Sequence, residues 1–187
     1  MNYSFNIIEE YQSLSSEIQH EILTKLKVLQ FAKNEFLLKK GEVCKGIYII
    51  EKGCCRAYLE DAGKEITTSL SIDKNIICSA YSYLSQTPSD EYIQTLEDTL
   101  CYFISYNNIH ELLEKYVEFN VFVRKIYESL LINEISLLNS IRTKSALERY
   151  ELFMEKTPKL LQRVPLGHLA TFLGMSKETL SRMRSQI

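Results

Sequence analysis

The chain has 187 residues, 45% of them hydrophobic, enough to bury one core and carry a small second domain. Its 22 Lys and Arg against 24 Asp and Glu leave a net charge of −2, so the total charge gives no sign of a nucleic-acid partner. The absence of an 18-residue apolar run or a basic-then-apolar leader leads us to expect a soluble cytoplasmic protein with no membrane partner. Five cysteines (Cys44, Cys54, Cys55, Cys78, Cys101) without metal-ligand spacing suggest reduced thiols, no metal and no disulfide framework.

In chain order, Leu14 to Leu29 places Ile18, Ile22, Leu26 and Leu29 at helical intervals after the capping candidates Ser13, Ser15 and Ser16, predicting one amphipathic helix. The next eighty residues change to short apolar runs punctuated by glycine: Phe36–Leu38, Gly46–Ile50, Cys54–Leu59 and Ile66–Leu70. These predict strands, with hairpin turns at Lys52-Gly53 and Ala62-Gly63, where glycine supplies a positive φ. A further pair of strands is predicted at Glu91–Leu96 and Leu100–Ser105, so the middle of the chain reads as an antiparallel roll or barrel. Cys54 and Cys55 are neighbours on one predicted strand, pointing to opposite faces, which disfavours a vicinal disulfide.

From Asn108 to Arg142 the pattern is helical again. Val123, Ile126, Leu130, Asn133, Leu137 and Ser140 follow the three-four steps of a coiled-coil seam, while Phe122, Leu131, Ile135 and Leu138 form a second stripe. One stripe can cover the roll and the other can meet a second copy of the chain. We assign the dimer interface to Val123, Ile126, Leu130, Asn133 and Leu137, with Asn133 setting register. The alternative is a helix buried on both sides within one chain.

The segment Val164–Ile187, VPLGHLATFLGMSKETLSRMRSQI, reads as helix, tight turn, helix. Pro165 suits a first helical turn, Leu166, Leu169, Ala170 and Leu173 form one apolar face, and Gly174 ends the helix in a left-handed conformation that only glycine visits cheaply. Ser176 can cap the second helix, with Glu178 and Thr179 near its positive end and Leu180 and Met183 packing inward. Lys177, Glu178, Ser181, Arg182 and Arg184 then face outward, with chemistry suited to base edges and phosphates. The rival reading is a plain helical hairpin with a solvated face. Charge favours the first: from Arg142 onward there are 9 basic and 4 acidic residues, leaving 13 basic and 20 acidic before it. The candidate DNA-contacting set is Ser176, Lys177, Glu178, Thr179, Ser181, Arg182 and Arg184.

This order of parts resembles the Crp/Fnr superfamily of transcription regulators, in detail the short Crp/Fnr-like members of Bacteroidetes. The resemblance spans nearly the whole chain. It is carried most by LLKKGEVCKGIYIIEKGCCRAYLEDAGKEIT, PSDEYIQTLEDTLCYFI and SALERYELFMEKTPKLLQRVPLGHLATFLGMSKETLSRMR. It implies an α+β fold: an antiparallel β-roll of the cyclic-nucleotide-binding, jelly-roll type with its N-terminal helix (1–107), a dimerisation helix (108–142) and a helix-turn-helix domain (143–187). It also implies double-stranded DNA, a second copy and RNA polymerase as partners, with Lys177, Glu178, Ser181 and Arg182 at the contacting positions.

In members that bind cyclic nucleotides, a Gly-Glu pair and an Arg form the phosphate cassette. Here the corresponding stretch is Ile77–Tyr83, and the Arg position falls on Ser89. Usual cyclic-AMP binding is therefore not expected, because a buried phosphate would lack a partner charge. Cys78, Ser79, Tyr81, Ser89 and Tyr92 are the candidate lining for a more neutral effector, or of an empty pocket. The iron–sulfur sensor of oxygen-responsive relatives is excluded, since no cysteine precedes Cys44, and His20, His110 and His168 are too scattered to suggest a haem ligand. No cofactor and no catalytic residue is expected, as Walker, zinc-protease and nucleophile-elbow motifs are missing. A reading from another class is a non-catalytic ligand-binding or scaffolding module whose last helices bind a protein.

Overall fold

The computed structural model describes residues 13–185. The elements run α1 (Ser16–Lys25), β1 (Lys27–Phe31), β2 (Phe36–Leu38), β3 (Gly46–Lys52), β4 (Cys54–Asp61), β5 (Lys64–Ile72), β6 (Ile76–Ile77) and α2 (Ala80–Ser85). They continue with β7 (Glu91–Thr95), β8 (Thr99–Ser105), α3 (Tyr106–Lys115), α4 (Val117–Thr143), α5 (Ala146–Lys156), α6 (Pro158–Arg163), α7 (Leu166–Phe172) and α8 (Lys177–Arg184). The strands form two antiparallel sheets, ordered β1-β8-β3-β6 and β2-β7-β4-β5, which is the α+β roll expected. Alternation along the strands sends Ile50, Cys55, Ala57, Ile93 and Cys101 into the space between the sheets, where all are buried. Ile18 and Ile22 of α1, Ile109 and Leu112 of α3, and Phe119, Phe122 and Val123 of α4 complete this first core.

The structure departs from the sequence reading at four places. The first helix stops at Lys25, and Lys27–Phe31 pairs with β8 from Lys27↔Phe103 to Phe31↔Thr99. Leu26 and Leu29 satisfy a helical spacing and also pack inward from an extended chain, so periodicity alone could not separate the two. Ala62 and Gly63 do form a hairpin turn, both at positive φ, between β4 and β5. Lys52-Gly53 does not, because β3 and β4 lie in different sheets and the chain crosses between them. The long helix is broken at Tyr116, whose extended backbone separates α3 from α4 and whose hydroxyl donates to Glu21 Oε2 on α1 at 2.6 Å. The pair β6 and the short α2 had no clear periodic signal.

A second core lies under the last helices. Tyr150, Phe153, Leu160, Val164, Leu169, Phe172 and Leu180 pack together, and Cys54 and Leu96 join them from the roll, with Leu70, Ile72 and Leu137 at the margin. The helical head is thus seated on the outer face of the β4–β5–β7 sheet. Cys54 and Cys55 fall in different cores, and burial pushes both thiols up to about 12. All five cysteines are free.

Candidate nucleic-acid interface and sensor pocket

The turn between α7 and α8 forms as its residues dictate. Gly174 has φ +66°, the Met175 amide donates to Ala170 O at 3.0 Å, and the Gly174 amide donates to Thr171 O at 3.1 Å. That double closure satisfies the last carbonyls of α7. Pro165 lies one residue before α7, at its cap, rather than inside the first turn. Ser176 then caps α8: its hydroxyl accepts from the Thr179 amide at 3.2 Å and lies 3.1 Å from the Thr179 hydroxyl. Leu180 is fully buried between the helices, which fixes the roll of α8 about its axis.

With Leu180 inside, Lys177, Glu178, Ser181 and Arg182 are exposed along one side of α8. The Glu178 carboxyl is held below its ordinary value by its own backbone N–H and then by the Ser176 hydroxyl, as suits an acid in a first helical turn. Among the described residues the side chains of Lys177 and Arg182 enter no hydrogen bond or ion pair. Three of the expected contact residues already have partners within the chain. Ser176 and Thr179 are engaged in the cap. Arg184 turns back, donating from Nη2 to Leu161 O at 2.8 Å, where it satisfies a carbonyl near the end of α6. Several basic residues of the head are likewise used internally. Arg149 donates to Leu173 O and Lys144 O, and Arg163 is clamped between Asp73 and Glu97 while also donating to Gly53 O at 2.7 Å. The Arg163 guanidinium holds the Asp73 carboxyl below its usual range.

The cassette region is closed by its own groups. Ser79 and Ser89, both buried, are brought together at 3.0 Å, and Ser79 Oγ donates to Glu91 Oε2 at 2.6 Å. Thr68 Oγ1 donates to Glu91 Oε1 at 2.6 Å, and the Glu91 amide donates to Ser89 Oγ at 3.0 Å. An internal carboxylate therefore sits among hydroxyl donors beside the position that lacks arginine. Sequence reasoning missed Glu91 and Thr68. Thr68 is the extra residue of a bulge, since Tyr58 pairs with Thr67 and Ala57 with Ser69, and a bulge re-aims side chains in a way no pattern announces. Of the other candidates, Cys78 is half-buried beside Ser79 and Tyr81 is exposed. Tyr92 is not part of the pocket: it stacks on Tyr58 at 5.0 Å, on the outer face that also carries Arg56.

The long helix α4 also presents its faces differently from the seam read in the sequence. Val123 is buried in the first core, Ile126 packs against that core, and Leu137 packs against the second. Asn133 is half-buried and Leu130 partly exposed. In the second half of the helix Leu131, Ile135 and Leu138 are left to solvent, at 61%, 48% and 49% exposure, with Ile132 beside them and Leu130 and Ile141 also exposed. The reason is geometric: α4 runs first along its own roll and then along its own head, and each consumes part of the expected seam. Among the described residues no group of His, Cys, Asp and Glu is placed to hold a metal, and no helix is long and apolar enough to cross a membrane.

Residues 28–116 match the family model of the cyclic nucleotide-binding domain. No curated protein matches the sequence. Among solved structures, the fold is similar to a CooA variant from Carboxydothermus hydrogenoformans, at 19% identity over 100% of this chain and 85% of that one, with TM-score 0.70. It is similar to a protein of Eubacterium rectale described as a Crp/Fnr-family transcriptional regulator, at 18% identity over 97% and 87% of the two chains, with TM-score 0.73. FixK2 from Bradyrhizobium japonicum aligns at 16% identity over 86% and 83%, again with TM-score 0.73. Residues 28–116 thus resemble a cyclic nucleotide-binding domain, and the chain as a whole shares its fold with these solved structures.

Proposed function

We propose that the protein is a sequence-specific, DNA-binding transcription regulator that acts as a homodimer and does no catalysis. The observation that carries this reading is the exposed row Lys177, Glu178, Ser181 and Arg182, held rigidly by the Ser176 cap and the buried Leu180 on a head that is basic while the rest of the chain is acidic. Arg182 has the geometry to fork onto a guanine edge, and Lys177 near the helix start can meet a base or a phosphate. The solvent-exposed stripe of α4, Leu131, Ile135 and Leu138, supports a paired arrangement, which would present two reading helices to half-sites about one helical turn apart.

On the sensor side, the carboxylate of Glu91 among Ser79, Ser89 and Thr68 argues against cyclic nucleotides, because a phosphate there would meet a negative charge and no arginine. A pairing with RNA polymerase belongs to the same reading. In vitro selection on random duplexes tests it, followed by titration of the selected and scrambled sequences at several salt concentrations. An enriched sequence with salt-dependent affinity supports the regulator. If no sequence is enriched and affinity ignores salt, the head binds a protein instead.

A further inference from the structure

The head is joined to the roll by a contact that nothing in the reading of DNA requires. His168, on α7, directs Nδ1 at Arg56 Nη1 of β4 across 2.7 Å. An arginine can only donate, so Nδ1 accepts and the neutral ring carries its proton on Nε2. Arg56 is 2% exposed, and Nη2 is taken by Glu65 Oε2 at 2.5 Å and Gln94 Oε1 at 3.0 Å. Its guanidinium lies 4.0 Å from the centre of the Tyr58 ring, and its Nε is buried without an acceptor. One helical turn along α7, Thr171 Oγ1 accepts from the Thr67 amide at 3.1 Å and lies 3.1 Å from the Thr67 hydroxyl, so both contacts close the same seam.

We propose that His168 is a proton-operated latch between the head and the roll: the neutral ring closes it, and protonation opens it. Protonation removes the only acceptor on Nδ1 and sets a second cation against Arg56, whose Nη1 then joins Nε in having no partner. The charged groups facing His168 are Arg56 from β4 and Glu65 from β5. Glu65 works in the opposite sense, but it is already committed to Arg56 and half exposed. Burial first and Arg56 second hold the His168 ring below its ordinary value of 6.5. The sign follows. A histidine whose pKa is lowered on docking favours the docked form above the undocked value and loses that contribution as pH falls through 6.5 toward the docked value. Each unit of separation amounts to a tenfold change in the docking equilibrium. The latch concerns two parts of one chain and stands whether or not the head reads DNA.

The test is hydrogen exchange on the full chain, corrected for intrinsic rates, between about pH 7.5 and about pH 5.5, a range spanning the ordinary histidine value. The Thr67 amide, which is bonded to Thr171, should lose protection on acidification, by at most about tenfold over this range, while Ile93 inside the roll stays protected. His168→Gln keeps a neutral acceptor and should make Thr67 protection independent of pH over this range. Equal pH responses in the two proteins, or parallel loss at Thr67 and Ile93, would overturn the proposal. Should the variant fail to fold, nitrogen NMR of the wild-type ring decides: a pKa below 6.5 with the proton on Nε2 upholds the latch, and an ordinary or raised pKa or a proton on Nδ1 removes it.

Discussion

Thr67 and Thr68 are consecutive on β5 and bond to opposite sides of the sheet: Thr67 meets Thr171 of the head, and Thr68 donates to Glu91 inside the roll. The bulge at this point makes that possible, because it turns Thr68 inward out of register while Thr67 keeps its pairing with Tyr58 on the outer face. One strand therefore touches both the carboxylate cluster around Glu91 and the C-terminal helical head.

Thr68→Val keeps the shape of the side chain and removes one donor from a partly buried carboxylate. Hydrogen bonds to charged groups contribute about 1.5–3 kcal/mol, so urea unfolding should show a loss of that order. A loss well below 0.5 kcal/mol, about the level of an ordinary surface substitution, would mean that Glu91 is effectively solvated.

Cyclic AMP and cyclic GMP should not bind more tightly than about 1 mM, a free energy of about 4 kcal/mol. The cause is the carboxylate of Glu91 held by Ser79 and Thr68, together with Ser89 in place of a cation. Isothermal calorimetry measures this directly, and micromolar affinity for either nucleotide would refute it.

The two stripes of α4 should respond differently to charge. Ile135→Asp places an unpaired carboxylate in the exposed apolar stripe, and sedimentation at micromolar concentration should show the folded chain at the mass of one copy. Val123→Asp places it in the core of the roll and should instead unfold the domain, visible as loss of a cooperative melt. A wild-type chain that sediments as a single copy at micromolar concentration would remove the dimer.

Arg182→Ala should cost about 1–3 kcal/mol per half-site on the selected sequence and much less on random DNA, relaxing specificity. Lys177→Ala, where Lys177 holds a phosphate, should weaken all sequences alike and lower the salt slope by about 1 per head. Arg184→Ala tests the structural distinction: since Arg184 is tied to Leu161 O, its removal should lower head stability more than it alters sequence preference. Paired binding and melting curves separate the two effects.

Sequence alone determined the parts whose signals are local. The strands of the roll announced themselves by apolar runs between glycines, the Ala62-Gly63 hairpin by its need for positive φ, and the head by Gly174, Ser176 and the spacing of Leu169, Leu173 and Leu180. Each rests on residues within a few positions of one another. Tertiary structure decided what depends on distant partners. Thr68 and Glu91 are 23 residues apart and Arg56 and His168 are 112 apart, so neither pair exists until the sheets close and the head docks. The same holds for Lys27–Phe31, which becomes a strand because β8 offers an edge, and for α4, whose seam residues Val123 and Leu137 are claimed by the chain's own two cores before any partner can meet them. Periodicity records that a face is apolar; only packing decides what covers it.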